Sequence, residues 1–356
     1  MHIFRKDLEQ KKPVNVNVPH KKVMMCLNES TLNPFKTLRR EFLANLEKVE
    51  LNRYYQPVTD ELKAELTEYV GHGLKTENIF FGNGADEMIY YIFVAVREHS
   101  NSFAVSPAPS YFDYKSYSGA VGLDIKFLSL DAEFDFDEAE YMKLLEEDNC
   151  KLGILCNPNN PTGNTFDAEK LHRIISGTSK PIMMDETYFE FSGITFADYL
   201  DKYPNLLIVR SFSKAFSGAG LRFGYMLSSA YNIEQIRKVQ TVFNSSLLIQ
   251  TMVLTMLQNR DVMLAHTDMV VKERDQLLKA MQEIDEVKVY PSYTNFLTFS
   301  LGVNSDSFFN YLQDNEIAIR DVGAHPVLKE CLRVTIGSEE QNSMFLKHLK
   351  EFVKGL

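Results

Sequence analysis

From residue 78 to residue 227 the chain repeats one pattern: a short, continuous apolar run, a polar or glycine-bearing break, then often a stretch with helical spacing. The runs fall at 78–81, 103–106, 152–156, 181–184, 206–209 and 224–227, with a further strand-like run at 124–128 that carries Asp124 and Lys126. Strands that are apolar without alternation are buried on both faces, and the intervening helices supply the cover. The pattern therefore predicts an α/β fold, a three-layer sandwich with a mostly parallel central sheet. Helical segments at 34–46 and 59–70 precede it, and a long charged helix over 261–284 follows. Beyond that helix, strands at 287–290, 295–299, 317–319 and 332–336 with helices at 305–315 and 339–353 describe a smaller α+β unit. The organisation expected is an N-terminal arm (1–33), a large domain (34–243) and a small C-terminal domain (244–356), with no proline-rich linker or internal repeat.

Open α/β sheets bind ligands at the carboxyl ends of their strands, so the residues that follow each run carry the functional reading. After Leu206-Leu207-Ile208-Val209 comes Ser211-Phe212-Ser213-Lys214, with Arg222 eight positions beyond the lysine. An amine preceded by hydroxyls and followed by a guanidinium suits an aldehyde cofactor that carries a phosphate: the lysine forms a Schiff base, while serines and arginine hold the anion. That cofactor is pyridoxal 5′-phosphate. A lone lysine is ordinarily a solvated surface charge, so the reading depends on the other strand ends.

Three of them agree. The run 181–184 ends in Asp185-Glu186-Thr187-Tyr188, where Asp185 either pairs with a protonated pyridine nitrogen or caps the next turn. Tyr188 is placed to hydrogen-bond the ring's phenolate oxygen. The run 152–156 ends in Asn157-Pro158-Asn159-Asn160-Pro161-Thr162-Gly163, a rigid non-helical loop that brings the Asn157 amide to the same edge. The run 78–81 leads into Gly82-Asn83-Gly84-Ala85-Asp86-Glu87, which is either a plain tight turn or a strand-to-helix turn whose N–H groups approach a phosphate.

Together these segments resemble the fold-type I aminotransferases, most closely the histidinol-phosphate aminotransferase family, from about residue 28 to the C-terminus. Pro109-Ser110-Tyr111 and Leu332-Arg333-Val334-Thr335-Ile336-Gly337 add to the match. The resemblance implies that Lys214 is the cofactor lysine, Asp185 the ring-nitrogen partner, Asn157 and Tyr188 donors to the ring oxygen, and Tyr111 the ring stacked on the cofactor. It implies that Gly84, Ala85, Asp86, Ser211, Ser213 and Arg222 hold the phosphate, and that Tyr54 reaches the neighbouring subunit's site in a homodimer. The family writes proline after that tyrosine, whereas Tyr55 follows here.

On the substrate side the resemblance makes Arg333 the partner of the α-carboxylate, Asn28 its neighbour, and Arg320 the residue that reaches the substrate's distal end. Read alone, Arg320 is equally a solvated arginine closing an edge strand. The arm departs from the pattern. Residues 12–20 contain neither the tyrosine before a Pro-Gly pair of the histidinol-phosphate enzymes nor the His-Gly-Gly of threonine-phosphate decarboxylases. The implied activity is exchange of an amino group between an amino acid or amino phosphate ester, histidinol-phosphate-like or aromatic, and a 2-oxo acid such as 2-oxoglutarate. The alternatives are decarboxylation of an O-phospho amino acid and a non-catalytic cofactor-binding protein.

Composition narrows the partners. A net charge of −10 with no basic block argues against nucleic acid. The four cysteines show no Cys-x-x-Cys pairing, so neither a disulfide scaffold nor a metal site is expected, and reduced thiols in a cytoplasm are the simpler reading. The N-terminus lacks the apolar core of a secretory signal, and the uncharged stretch 239–259 is polar enough to disfavour a membrane span.

Overall fold

A computed structural model describes residues 3–11, 13 and 20–356; residues 12 and 14–19, where most of the departure in the arm falls, lie outside the described residues. The first strand, β1 (Val23–Met24), pairs in parallel with a strand near the other end of the sequence. The central sheet has seven strands: β2 (Ile79–Gly82), β3 (Phe103–Ala108), β4 (Asp124–Ser129), β5 (Cys150–Cys156), β6 (Ile182–Asp185), β7 (Leu206–Ser211) and β8 (Gly224–Leu227). Their spatial order is β2-β8-β7-β6-β5-β3-β4, and β8 alone runs against the rest.

Within the apolar runs the side chains still alternate between faces, as strand geometry requires. Met183, Leu207, Val209 and Met226 pack with Met88, Ile89 and Ile92 of the helix Ala85–Val96 on one side. Ile182, Met184, Leu206 and Ile208 join the other, larger core. Both faces are buried, and this is why the sequence shows apolar runs rather than an apolar-polar alternation.

The C-terminal unit is built on the helix Arg260–Gln282 and a four-stranded antiparallel sheet. Its strands are β9 (Lys288–Val289), β10 (Phe296–Ser300), β12 (Arg320–Asp321) and β13 (Cys331–Thr335), in the order β12-β13-β10-β9. β11 (Ile317–Ala318) pairs with β1 instead. The single strand expected over 317–319 is thus two, shared between two sheets, and the break sets Arg320 directly opposite Arg333 in the β12–β13 ladder. Residues 23–28 are joined to this unit: Met25 N donates to Ala318 O at 2.8 Å, and Thr335 N donates to Met25 O at 2.9 Å.

The helix expected over 34–46 is interrupted at buried Leu38, giving Pro34–Thr37 and Arg39–Leu46. Most of the uncharged stretch 239–259 becomes the helix Leu247–Gln258, whose middle is buried in the core. Among the described residues no helix is long and apolar enough to cross a membrane.

Candidate active site

The parallel register aligns Cys156 with Asp185 and Asp185 with Val209, so β5, β6 and β7 end together. Asn157, Asp185 and the segment from Ser211 to Lys214 therefore share one sheet edge. The Asn157 amide is oriented by Phe166, whose N–H donates to Oδ1 at 2.9 Å, and this leaves Nδ2 as the donor.

Asp185 is only 3% exposed. Tyr114 donates its hydroxyl to Oδ2 at 2.6 Å, and Thr187 donates its backbone N–H (3.0 Å) and its hydroxyl (2.6 Å) to Oδ1. Burial pushes the carboxyl's pKa up, while these hydrogen bonds pull it back. All three donors are neutral, and Asp185 has no ion-pair partner among the described residues. Thr187 was legible from its position two residues after an Asp that ends a strand. Tyr114 carried no such signal.

Lys214 lies just past the end of β7, half-buried, with Nζ donating to the carbonyl of Leu27 at 3.2 Å. Burial, and then the positive charge of Arg333, lower its pKa to about 8, while Glu29 and Asp86 act in the opposite sense. Ser211 and Ser213 are both buried, and Ser213 N donates to Ser211 Oγ at 3.1 Å. Arg222 donates to Asp86 Oδ2 at 2.7 Å and to Ser213 Oγ at 3.4 Å.

Gly84 stands at the N-terminus of the helix Ala85–Val96 with a φ of 88°, and a Cβ there would come within 2.8 Å of Arg222 Nη2. Gly224, on β8, lies beneath the same turn, and a Cβ on it would overlap the backbone of Gly84 and Ala85. The sequence reading missed Gly224. Tyr111, half-buried, donates to Asp86 Oδ1 at 3.1 Å and meets the Tyr114 ring edge-on at 5.3 Å.

On the other side of the lysine, Arg333 donates to Asn160 Oδ1 at 2.6 Å and to the Cys26 carbonyl at 3.1 Å, while its buried Nε has no partner among the described residues. Burial lowers its pKa to about 10. Asn28 donates to the Tyr188 hydroxyl at 2.9 Å, which ties the two together. Arg320 is half-buried beside Arg333 and makes no side-chain hydrogen bond or ion pair among the described residues. Tyr54 is 78% exposed and stacks on Phe243 at 4.9 Å. No cluster of candidate metal ligands occurs among the described residues.

A lysine of lowered pKa, a buried carboxylate with no ion-pair partner among the described residues and a glycine-bearing helix N-terminus beside an arginine are chemically suited to a ring that is cationic at one end and anionic at the other. The model of the family described as aminotransferase class I and II matches residues 20–349. The chain belongs to this family.

This aminotransferase is 33% identical to the histidinol-phosphate aminotransferase of Thermoanaerobacter pseudethanolicus, over 99% of both chains. It is 32% identical to that of Aquifex aeolicus, over 94% of this chain and 93% of the relative. Among solved structures, the Sinorhizobium meliloti histidinol-phosphate aminotransferase in complex with pyridoxal-5′-phosphate superposes with a TM-score of 0.85 at 20% identity, covering 100% of this chain and 99% of that one. The L-threonine-O-3-phosphate decarboxylase of Porphyromonas gingivalis shares the fold with a TM-score of 0.77 at 22% identity, covering 93% and 99%.

The cofactor of this aminotransferase family is pyridoxal 5′-phosphate, and the pocket fits it on its own evidence. Asp185 is a buried carboxylate lacking a cation, which a protonated pyridine nitrogen would supply. The turn at Gly84 offers backbone N–H groups at a helix N-terminus next to Arg222, as a phosphate requires.

Proposed function

We propose that this aminotransferase carries pyridoxal 5′-phosphate on Lys214 and exchanges an amino group between an amino acid or amino phosphate ester and a 2-oxo acid such as 2-oxoglutarate. The observation that carries this reading is the buried carboxylate of Asp185, held by neutral donors at the end of the strand adjoining the one that leads to Lys214. When bound, the cofactor supplies a sink for the electron pair left on the substrate's Cα.

The chain's own residues do the rest. Asp185 keeps the ring nitrogen protonated, and Asn157 and Tyr188 donate to the ring oxygen. Lys214, neutral more readily than an exposed lysine, would take the proton from the substrate's Cα and hold it for return. Ser211, Ser213, Arg222 and the backbone of Gly84, Ala85 and Asp86 hold the phosphate, and Tyr111 covers the ring. Arg333, aided by Asn28, would grip the substrate carboxylate and fix its orientation. Holding the carboxylate in this way would favour loss of the Cα proton over loss of CO₂.

The unpaired guanidinium of Arg320 beside Arg333 supports a second anionic group at the substrate's far end, such as a phosphate. The full-length relatives are histidinol-phosphate aminotransferases by name, and histidinol phosphate has no carboxylate, so its phosphate would be the one anion offered to these two arginines. Exposed Tyr54 and Phe243, stacked on one another near exposed Val242 and Leu248, support a homodimer in which the face is covered by a second copy. Four buried free cysteines are in keeping with a cytoplasmic enzyme.

One assay tests the reading. Purified protein is offered histidinol phosphate, aromatic amino acids and O-phosphothreonine, each with 2-oxoglutarate, and both glutamate and CO₂ are measured. Glutamate formation supports transamination; CO₂ release without a keto product means decarboxylation. Sedimentation of an active monomer would remove the dimer from the account.

A further inference from the structure

A hydrogen-bonded chain outside the pocket connects the lysine segment to the helix Arg260–Gln282. Ser217 Oγ donates to Ser30 Oγ at 2.7 Å, Leu32 N donates to the same oxygen at 3.1 Å, and Ser30 Oγ lies 2.9 Å from His266 Nε2. A hydroxyl has one hydrogen and two lone pairs. Both lone pairs of Ser30 are taken by Leu32 and Ser217, so its hydrogen goes to His266 Nε2, which must be unprotonated.

The chain closes a ring around the lysine. Ser217 N donates to the Lys214 carbonyl at 3.0 Å, and Lys214 Nζ donates to the carbonyl of Leu27, the residue before Asn28. The next residue of the helix, Thr267, donates its hydroxyl to the Ala215 carbonyl at 3.1 Å. Ser217 adopts a φ of 57°, a left-handed conformation that disfavours a serine and that glycine would take without strain. The sequence holds a serine there, and the hydroxyl is what the chain uses.

We infer that Ser30, Ser217 and His266 are positioning residues that hold the Leu27–Asn28 segment at a fixed distance from Lys214, and that protonation of His266 loosens this hold. The inference rests on the roles proposed above for Lys214 and Asn28. A protonated His266 donates from Nε2, so Ser30 faces three donors with two lone pairs, and Ser217 must turn away or reverse. The charged groups nearest in sequence to the chain's members are Glu29 beside Ser30, Lys214 before Ser217 and Asp268 on the helix. Burial is the one cause of the lowered His266 pKa, so none of these charges sets it.

The test uses the holoenzyme and the variants Ser217→Gly, Ser30→Ala and His266→Phe. Glycine removes the hydroxyl while relieving the backbone, so Ser217→Gly separates positioning from stability. Expected for Ser217→Gly are an unchanged or raised Tm and a kcat lowered about three- to tenfold, the scale of one hydrogen bond. Because burial lowers the His266 pKa, wild-type kcat falls only on the acid side of the ordinary histidine range, and that limb is lost in Ser30→Ala and His266→Phe. In both, the visible absorption of the lysine-linked cofactor titrates at a shifted pH. A Ser217→Gly enzyme with wild-type kcat and pH profile overturns the inference, as do variants that lose only Tm. A wild-type protein with no lysine-linked absorption would refute the role of Lys214 instead, which keeps the two failures apart.

Discussion

Tyr114 and Asp185 are 71 positions apart in sequence, yet the tyrosine hydroxyl lies 2.6 Å from the carboxylate in a fully buried contact. The carboxylate proposed to meet the ring nitrogen is therefore held by a residue on the helix that follows Tyr111. Tyr114→Phe removes one of three donors to a buried charge, a loss of about 1.5–3 kcal/mol for a charged acceptor. Cofactor affinity should fall by roughly tenfold or more in a spectrophotometric titration, with the fold intact by circular dichroism.

Lys214 should govern the pH dependence of cofactor capture. Its pKa is lowered to about 8, and only the neutral amine attacks an aldehyde. Uptake of pyridoxal 5′-phosphate by the cofactor-free protein is expected to accelerate about tenfold per pH unit below 8 and to level off above it. Stopped-flow absorbance measures this. Lys214→Ala should give no lysine-linked absorption at any pH.

Gly224 supports from beneath the turn proposed to hold the phosphate. In Gly224→Ala the new methyl group meets the backbone of Gly84 and Ala85, which cannot step aside as a flexible side chain would. Overpacking of this kind costs about 1–3 kcal/mol. A lower Tm should accompany weaker phosphate binding, seen as easier loss of cofactor on dialysis.

Arg333 presents a planar fork between Asn160 and the Cys26 carbonyl. Lysine keeps the charge but loses the two-pronged geometry. Arg333→Lys should lower kcat/KM for glutamate about 10- to 100-fold, the scale of one charged hydrogen bond. Steady-state kinetics with 2-oxo acid held constant reads this directly.

What the sequence disclosed of the site was local in the chain. Asp185, Asn157 and Lys214 each follow an apolar run, and buried parallel strands deliver such residues to one edge whatever the distant sequence does. Tyr114, Gly224 and the chain from His266 to Ser217 depend on contacts between segments far apart in sequence, which no local spacing reports. The reversed direction of β8 was hidden because an apolar run has the same composition in either sense. Arg320 gained its place opposite Arg333 only when one expected strand divided between two sheets. Tyr54 lies on an exposed face in a single chain, so its environment in an assembly is not written in the fold of one copy.

The Cys26 carbonyl and the Arg333 guanidinium that it steadies are 307 positions apart, as are Asn28 and Thr335. During synthesis the cofactor edge, complete by β8, emerges long before the residues that receive the amino acid. The contacts of Cys26 and Asn28 must wait until β13 has left the ribosome, when the early segment finds its late partner. The part of the site proposed to receive the amino acid thus cannot close before nearly the whole chain has been made.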